Sequence, residues 1–183
     1  MLLLPYVIMR CICKEVMHLS GITQVDFLNG PMKSLVCVHS NEQGEPRGEI
    51  YSHLLKQPIE FTDIIDMLNQ MDALFDQIKY PQNYHQYRSF GKRQTPQELE
   101  IMNGVKNDMG SLLENKVGEK ATFIIQVQFR QNSSWQGTIT WTEKKKTLCY
   151  RSTLEMLKLM DSALAADGEV SIAPDWNEVA LGS

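Results

Sequence analysis

Few residues in this chain have the types and spacing that catalysis or metal binding needs. Cys11, Cys13 and His18 are the one metal-like cluster, and a structural zinc site usually takes four ligands. The four histidines stand in no motif with a carboxylate, and the sequence has no nucleophile elbow, P-loop or dinucleotide fingerprint. Asp72 and Asp161 recur near the ends of two predicted helices, where a carboxylate opposes the helix dipole. They either mark a functional site or are hydrogen-bonded across the interface between the two repeats. We expect a non-enzymatic protein without a metal or other cofactor.

One segment interleaves aromatic and basic side chains in the middle of the chain. This mixture is typical of contacts with single-stranded nucleic acid and of protein interfaces. A linker that crosses a sheet would also bury its aromatic rings, so a structural role is the alternative. The candidate partner-binding residues of this segment are Tyr84, Tyr87, Arg88, Lys92 and Arg93.

Two turn-rich regions further along carry more candidate contacts. Trp135 ends a polar turn that begins at Arg130, and a tryptophan in such a turn either anchors an interface or folds back on the core. Lys144, Lys145 and Lys146 form a basic turn. These lysines could contact phosphate groups, or they could be the solvated tip of a hairpin.

Charge is divided unequally along the chain, although the formal net charge is only −4. Residues 32–78 hold three basic and eight acidic residues, whereas residues 121–167 hold six and four. Glu42, Glu45 and Glu49 lie in the acidic part. Oppositely charged halves are expected of a protein that binds a charged partner. The alternative is that these charges serve solubility.

The elements that must position these residues repeat along the chain. At an offset of 89 residues, residues 48–75 align without a gap with residues 137–164, with seven identities that include Gly48 and Gly137. Apolar residues alternate upstream of each copy, and two short strands follow between turn-rich segments. We predict an α+β fold of two tandem βββα repeats, each an antiparallel sheet with a helix on one face. Internal duplication would relate the repeats, and a helical linker would join them.

Both repeat helices have equivalent start signals and equivalent apolar faces. Asp63 and Ser152 are preferred N-caps, and Ser152 forms a capping box with Glu155. Apolar residues then follow at helical spacing. The residues expected to face the sheet are Ile65, Leu68, Met71 and Phe75 in the first copy and Leu154, Leu157, Met160 and Leu164 in the second.

The remaining segments flank or connect the repeats at 32–78 and 121–167. The predicted parts are an N-terminal extension (1–31), an aromatic and basic linker with a helix from Thr95 to about Leu113 (79–120), and an acidic tail (168–183). The apolar start is shorter than the roughly 20 residues that span a bilayer. Four cysteines without disulfide-scaffold density suggest free thiols in a reducing compartment. We expect a cytoplasmic protein without membrane association.

Two stretches of the second repeat, FRQNSSWQGTITW and YRSTLEMLKLMDSAL, resemble the C-terminal module of small proteins from gut Firmicutes that are often associated with mobile elements. With its size and mild acidity, the chain is similar to type II-A anti-CRISPR proteins of phages and other mobile elements. The resemblance implies a non-catalytic inhibitor that binds an RNA-guided type II CRISPR effector nuclease, either free or loaded with its guide. Such an inhibitor would block the binding or cleavage of target DNA.

Two other functional classes stay open, as does the oligomeric state. A nucleic-acid-binding regulatory module of a mobile element would contact DNA or RNA through the aromatic and basic segment and the second repeat. Its binding would depend steeply on salt, because phosphate contacts release counterions. A metabolic or signalling domain would instead hold its ligand between the two repeats.

Overall fold

The computed structural model describes residues 33–83, 90, 99–101, 116–130 and 134–165. Within this part, the chain has an α+β fold of one six-stranded antiparallel sheet and two helices. The elements in chain order are β1 (Lys33–Glu42), β2 (Glu45–Tyr51), β3 (Ile59–Phe61), α1 (Ile64–Gln77), β4 (Ala121–Phe129), β5 (Gln136–Trp141), β6 (Lys146–Tyr150) and α2 (Thr153–Ala165).

All six strands belong to a single sheet with the order β3-β2-β1-β4-β5-β6. The central pair is β1 and β4, which run antiparallel from Lys33 opposite Gln126 to Val38 opposite Ala121. The strands that precede α1 and those that precede α2 are therefore joined edge to edge. This pairing leaves β3 and β6 as the two outer strands.

Tight turns and close backbone contacts set the register of the hairpins. Gln43 and Gly44, which connect β1 and β2, have φ values of 58° and 82°, as two-residue hairpin turns require. A Cβ atom on Gly48 would lie 1.9 Å from the carbonyl oxygen of Cys37 in the neighbouring strand. Gly48 is therefore needed for this close approach of the two strands.

The main hydrophobic core lies between the helices and one face of the sheet. Helix α1 buries Met67, Met71, Leu74 and Phe75, and α2 buries Met156, Met160 and Ala163. The sheet contributes alternate residues of its strands, including Val36, Ile50, Phe123, Ile125 and Ile139. The opposite face carries a smaller buried cluster of Leu35, Cys37, Tyr51 and Ile124.

The predicted inward position of Ile65 and Leu154 is wrong. These side chains are 60% and 62% exposed, while Met67 and Met156 face the sheet and are fully buried. Two residues correspond to about 200° around a helix, so burying each methionine turns the residue two positions earlier towards the solvent. The contact of the helix with the sheet therefore sets its rotation.

Both helices begin as the sequence predicts. The Asp63 carboxylate accepts a hydrogen bond from the Asp66 amide at 2.8 Å, and the Ser152 hydroxyl accepts one from the Glu155 amide at 3.1 Å. The predicted capping box differs in one detail, because the Glu155 carboxylate accepts from the Arg151 amide at 2.8 Å. These bonds satisfy amides that have no partner within the helix.

The predicted helix from Thr95 to Leu113 is wrong at residues 99–101, the part of it that the structure describes. Ile101 forms an antiparallel bridge with Leu55, and the Glu100 carbonyl accepts a hydrogen bond from the Lys56 amide at 3.1 Å. Pairing with this neighbouring segment occupies backbone groups that a helix would use itself. The rest of the predicted helix, the N-terminal extension and the acidic tail lie outside the described residues. None of the described helices is long and apolar enough to cross a membrane.

Candidate functional site

Arg130 is buried at the end of β4, where the two halves of the chain meet. Its guanidinium donates hydrogen bonds to Asp72 and Asp76, both at 2.6 Å. The same group lies over the Phe75 ring, 5.3 Å from the ring centroid, and donates to the Pro81 carbonyl at 3.4 Å. Arg130 therefore connects β4 with the last turns of α1 and with the chain that follows α1. We call these five residues the Arg130 cluster.

The chemistry of arginine suits this position. Asp72 and Asp76 are four residues apart, so both carboxylates lie on one face of α1. Carboxylates near a helix C-terminus oppose the helix dipole, and the guanidinium offsets this effect with several donors in a planar fork. Asp161, at the equivalent position of α2, is exposed. At the 89-residue offset of the sequence alignment, Asn41 corresponds to Arg130, and an asparagine amide carries no positive charge.

Trp135 belongs to the core rather than to the surface. It is 6% exposed and meets the Phe75 ring edge to face, with 5.4 Å between the centroids. Its backbone amide donates to the Thr153 hydroxyl at 3.1 Å. Among the two alternatives for the tryptophan, the structure has the one in which it folds back on the core. As Arg130 is 2% exposed, neither predicted contact offers an exposed side chain to a partner.

A cavity of about 380 Å³ lies beside the Arg130 cluster. Its lining comes from both halves of the chain and consists of Phe75, Asp76, Lys79, Pro81, Gln82, Asn83 and Arg130. The lining combines an ion-paired carboxylate with ammonium and amide groups, which suits hydrogen bonding of a polar ligand. A ligand between the halves stays a prediction.

The three predicted acidic contacts have different environments. Glu42 and Glu45 face each other across the β1–β2 turn, and both are exposed. Glu49 is partly buried, where it accepts a hydrogen bond from the Tyr51 hydroxyl at 2.6 Å and lies 3.4 Å from the His39 imidazole. The bond from Tyr51 lowers the pKa of Glu49. Glu45 also lies 4.0 Å from the Arg47 guanidinium. Glu42 and Glu45 are therefore exposed, whereas Glu49 is held by neighbouring side chains.

The three predicted basic contacts lie together at the tip of the β5–β6 hairpin. Lys144, Lys145 and Lys146 are all exposed, and the Lys144 ammonium lies 5.7 Å from the centroid of the Trp141 ring. Thr142 anchors the turn through a hydrogen bond from its amide to the Thr122 carbonyl at 3.0 Å. The hairpin thus presents three ammonium groups on a supported turn.

Burial favours the uncharged forms of Cys37 and His53. Burial raises the pKa of Cys37 to about 12, which keeps its thiol protonated, and burial lowers the pKa of His53. Cys149 is disulfide-bonded, so the predicted free thiol at this position is wrong. In the described ranges, no group of three or more His, Cys, Asp or Glu could hold a metal ion. Cys11, Cys13 and His18 lie outside those ranges.

The structure brings the candidate residues together only in part. Tyr84, Tyr87, Arg88, Lys92 and Arg93 lie outside the described residues. The sequence analysis did not predict the ion pairs of the Arg130 cluster. One signal for them was present, because two aspartates four residues apart on one helix can share a cation. Comparison of the chain with protein-family models, with curated proteins and with solved structures found no match.

Proposed function

We propose that this chain is a non-catalytic binding protein that arose by internal duplication of a βββα unit. Equivalent irregularities in the two central strands support the duplication. The register shifts between Val38 and Ser40 in β1 and between Val127 and Phe129 in β4, and these positions are 89 residues apart. Bulges are features that related structures retain, so their equivalence supports a common origin.

Close contacts between strands and the starts of the helices also support a common origin. A Cβ atom on Gly137 would lie 1.8 Å from a carbonyl oxygen of the neighbouring strand, as for the equivalent Gly48. The carboxylate of Asp66 accepts from the Thr62 amide at 3.1 Å, which matches the bond from the Arg151 amide to Glu155 in the second half. Such agreement in close contacts and caps is more specific than agreement in hydrophobic pattern.

The opposite charges of the two halves are the main observation that supports a binding function. Residues 33–83 hold four basic and eight acidic residues, whereas the described residues from 116 to 165 hold eight and four. The β1–β2 turn and the β5–β6 turn lie at the same end of the sheet, where β4 begins. One end of the molecule therefore presents carboxylates and ammonium groups at separate sites, as expected for recognition of a charged partner.

The partner that best fits the acidic half is a basic nucleic-acid-binding surface. By the resemblance of its second repeat, the chain would inhibit an RNA-guided type II CRISPR effector nuclease in the cytoplasm. Such an effector holds nucleic acid in positively charged channels. Glu42 and Glu45 would compete with phosphate groups for those channels and block the binding or cleavage of target DNA.

Charge reversal at the β1–β2 turn tests this proposal. The variant Glu42→Lys/Glu45→Lys is compared with Glu119→Lys/Glu143→Lys, which reverses two exposed carboxylates of the second half. Glu49 is left unchanged because its bond to Tyr51 would be lost. We expect the first variant to weaken inhibition of target cleavage by a guide-loaded effector by about tenfold, with retention on the effector weakened in parallel. Equal inhibition by both variants would contradict the proposal.

A second function, nucleic-acid binding by a regulatory module, is favoured by the three exposed lysines of the β5–β6 turn. Three phosphate contacts to a single strand would make log K fall with log salt with a slope of about −2. We expect Lys144→Glu/Lys146→Glu to abolish binding of a labelled single-stranded oligonucleotide, while Lys158→Glu changes it little. Binding that is insensitive to salt would rule out this function.

A further inference from the structure

The end of the sheet at which β4 begins has a stepped outline. β1 runs four residues past Val38, the last of its residues that pairs with β4, and ends at Glu42. At about 3.3 Å per residue, the β1–β2 hairpin therefore projects roughly 13 Å beyond the start of β4. The β5–β6 turn does not project in this way, because the Thr142 amide bonds to the carbonyl of Thr122, the second residue of β4. A projecting hairpin and a recessed turn thus share one end of the sheet.

The two parts of this stepped end carry opposite charge. The projecting hairpin has Glu42 and Glu45 at its tip, and the Glu45 side chain is 64% exposed although it lies 4.0 Å from the Arg47 guanidinium. Two acidic residues and one basic residue give a formal charge of −1 over residues 42–47. One glutamate and three exposed lysines give +2 over residues 142–146. We call these two sites the acidic projection and the basic recess.

The acidic projection and the basic recess are too far apart to neutralise each other. The centre of each hairpin lies between its two strands, so the strand order β3-β2-β1-β4-β5-β6 places the centres three strand spacings apart. That distance is about 14 Å, which exceeds the Debye length of about 8 Å at physiological salt. Attraction between the two sites of one molecule is therefore largely screened, and each site can pair with a charged group of another molecule.

We propose that two copies of this chain associate through the stepped end of the sheet, with the acidic projection of each copy in the basic recess of the other. In a two-fold dimer, one such contact implies the second, because both copies use the same surface. The step favours this arrangement sterically, since the projection of one copy needs a partner surface that is set back. Glu42 and Glu45 would then lie beside Lys144 and Lys146 of the partner subunit.

A second copy matches both sites of the stepped end at once. A basic surface that covered the whole end would place like charges at the basic recess, and a nucleic acid would do so at the acidic projection. Electrostatic complementarity requires opposite charges at matched positions, and the two-fold arrangement provides them at both sites. Self-association would cover the turns that take part in the proposed function and so compete with it, but it does not depend on that function.

Sedimentation velocity of the full-length protein, without a nuclease or nucleic acid, tests the proposal. At about 50 mM salt the average mass should rise with protein concentration towards that of a dimer, and at about 500 mM salt it should return to the monomer, because exposed charges are screened. Glu42→Lys/Glu45→Lys makes both sites basic, and Lys144→Glu/Lys146→Glu makes both sites acidic. Each double variant should weaken self-association by at least about tenfold.

An equimolar mixture of the two double variants gives the sharpest test. One variant then presents two basic sites and the other presents two acidic sites, so a mixed dimer should form although neither variant associates alone. Misfolding of a variant cannot produce this restoration. Glu60→Lys and Lys158→Glu reverse exposed charges outside the stepped end, and as matched controls they should change self-association little.

Three results would overturn the proposal. The first is a wild-type protein that stays monomeric at low salt over the whole concentration range. The second is a mixture of the two folded variants that does not associate. The third is assembly that continues beyond the dimer, because a two-fold contact closes on itself. Since the assay contains no effector and no nucleic acid, failure of this proposal is distinguishable from failure of the proposed function.

Discussion

Substitution of Arg130 by methionine should destabilise the protein strongly, although the two side chains have similar length. The methionine would fill part of the space over Phe75 but leave Asp72 and Asp76 without their cation. Loss of one partner of a buried ion pair typically costs about 3–5 kcal/mol. Here the carboxylates are 21% and 42% exposed, so water compensates part of the loss. We expect the free energy of unfolding to fall by roughly 2–3 kcal/mol.

Urea denaturation followed by circular dichroism measures this loss, and the melting temperature should fall by roughly 4–12 °C. Lys146→Met is the matched control, because it makes the same kind of exchange at an exposed position, and it should change stability by less than about 0.5 kcal/mol. A double-mutant cycle with Asp72→Asn isolates the pair. If Arg130→Met costs under about 1 kcal/mol, or if the two substitutions are additive, the Arg130 cluster is not the stabilising network inferred here.

Three further predictions address the sheet, the core and the response to pH. Gly137→Ala should lower the free energy of unfolding by about 3 kcal/mol or more, because the new Cβ would lie 1.8 Å from a backbone carbonyl oxygen. Gly44→Ala has open space around the new Cβ but a φ of 82°, so it should lower the free energy of unfolding by about 1–2 kcal/mol. Urea denaturation measures both losses. Trp135→Ala should lower the free energy of unfolding by about 3–5 kcal/mol and remove the near-ultraviolet circular dichroism signal of its contact with Phe75. A loss below about 1 kcal/mol would mean that the ring does not contribute to the core. Because burial lowers the pKa of His53 below 6.5, protonation favours the unfolded chain. Stability should thus be greatest above pH 6.5 and decline as the pH falls towards the lowered pKa, and His53→Gln should reduce this decline between pH 7 and 5 in urea titrations at each pH.

Much of the local structure followed from short-range patterns. The alternation in residues 123–129 predicted a strand with Phe123, Ile125, Val127 and Phe129 on its buried face. The first three are buried, Phe129 is partly buried, and Ile124 on the other face is buried as well. The cap residues Asp63 and Ser152 marked both helix starts, because the geometry of a cap involves only residues within one turn. Turn-rich segments marked the hairpins for the same reason.

The candidate contacts were harder to predict, because exposure depends on the neighbours that the fold supplies. The lysines of the β5–β6 turn and Glu42 and Glu45 at the β1–β2 turn are exposed, as hairpin tips usually are. Arg130 and Trp135 follow a strand in a polar turn, yet they are buried. Arg130 pairs with Asp72 and Asp76, and Trp135 meets Phe75. All three partners lie on α1, more than 50 residues away along the chain, and no local pattern includes such a contact.

The sequence by itself determined the α+β class, the starts of both helices and the division of charge between the two halves, because periodicity, capping and composition are local properties. Only the tertiary structure decided that β1 pairs with β4 and that Ile65 and Leu154 face the solvent, and it alone buried Arg130 between two aspartates. It also made β3 and β6 the outer strands of the sheet and paired Glu100 and Ile101 with the chain that leads to β3. Each of these outcomes depends on which surfaces pack together, and the packing free energy belongs to the assembled sheet and helices.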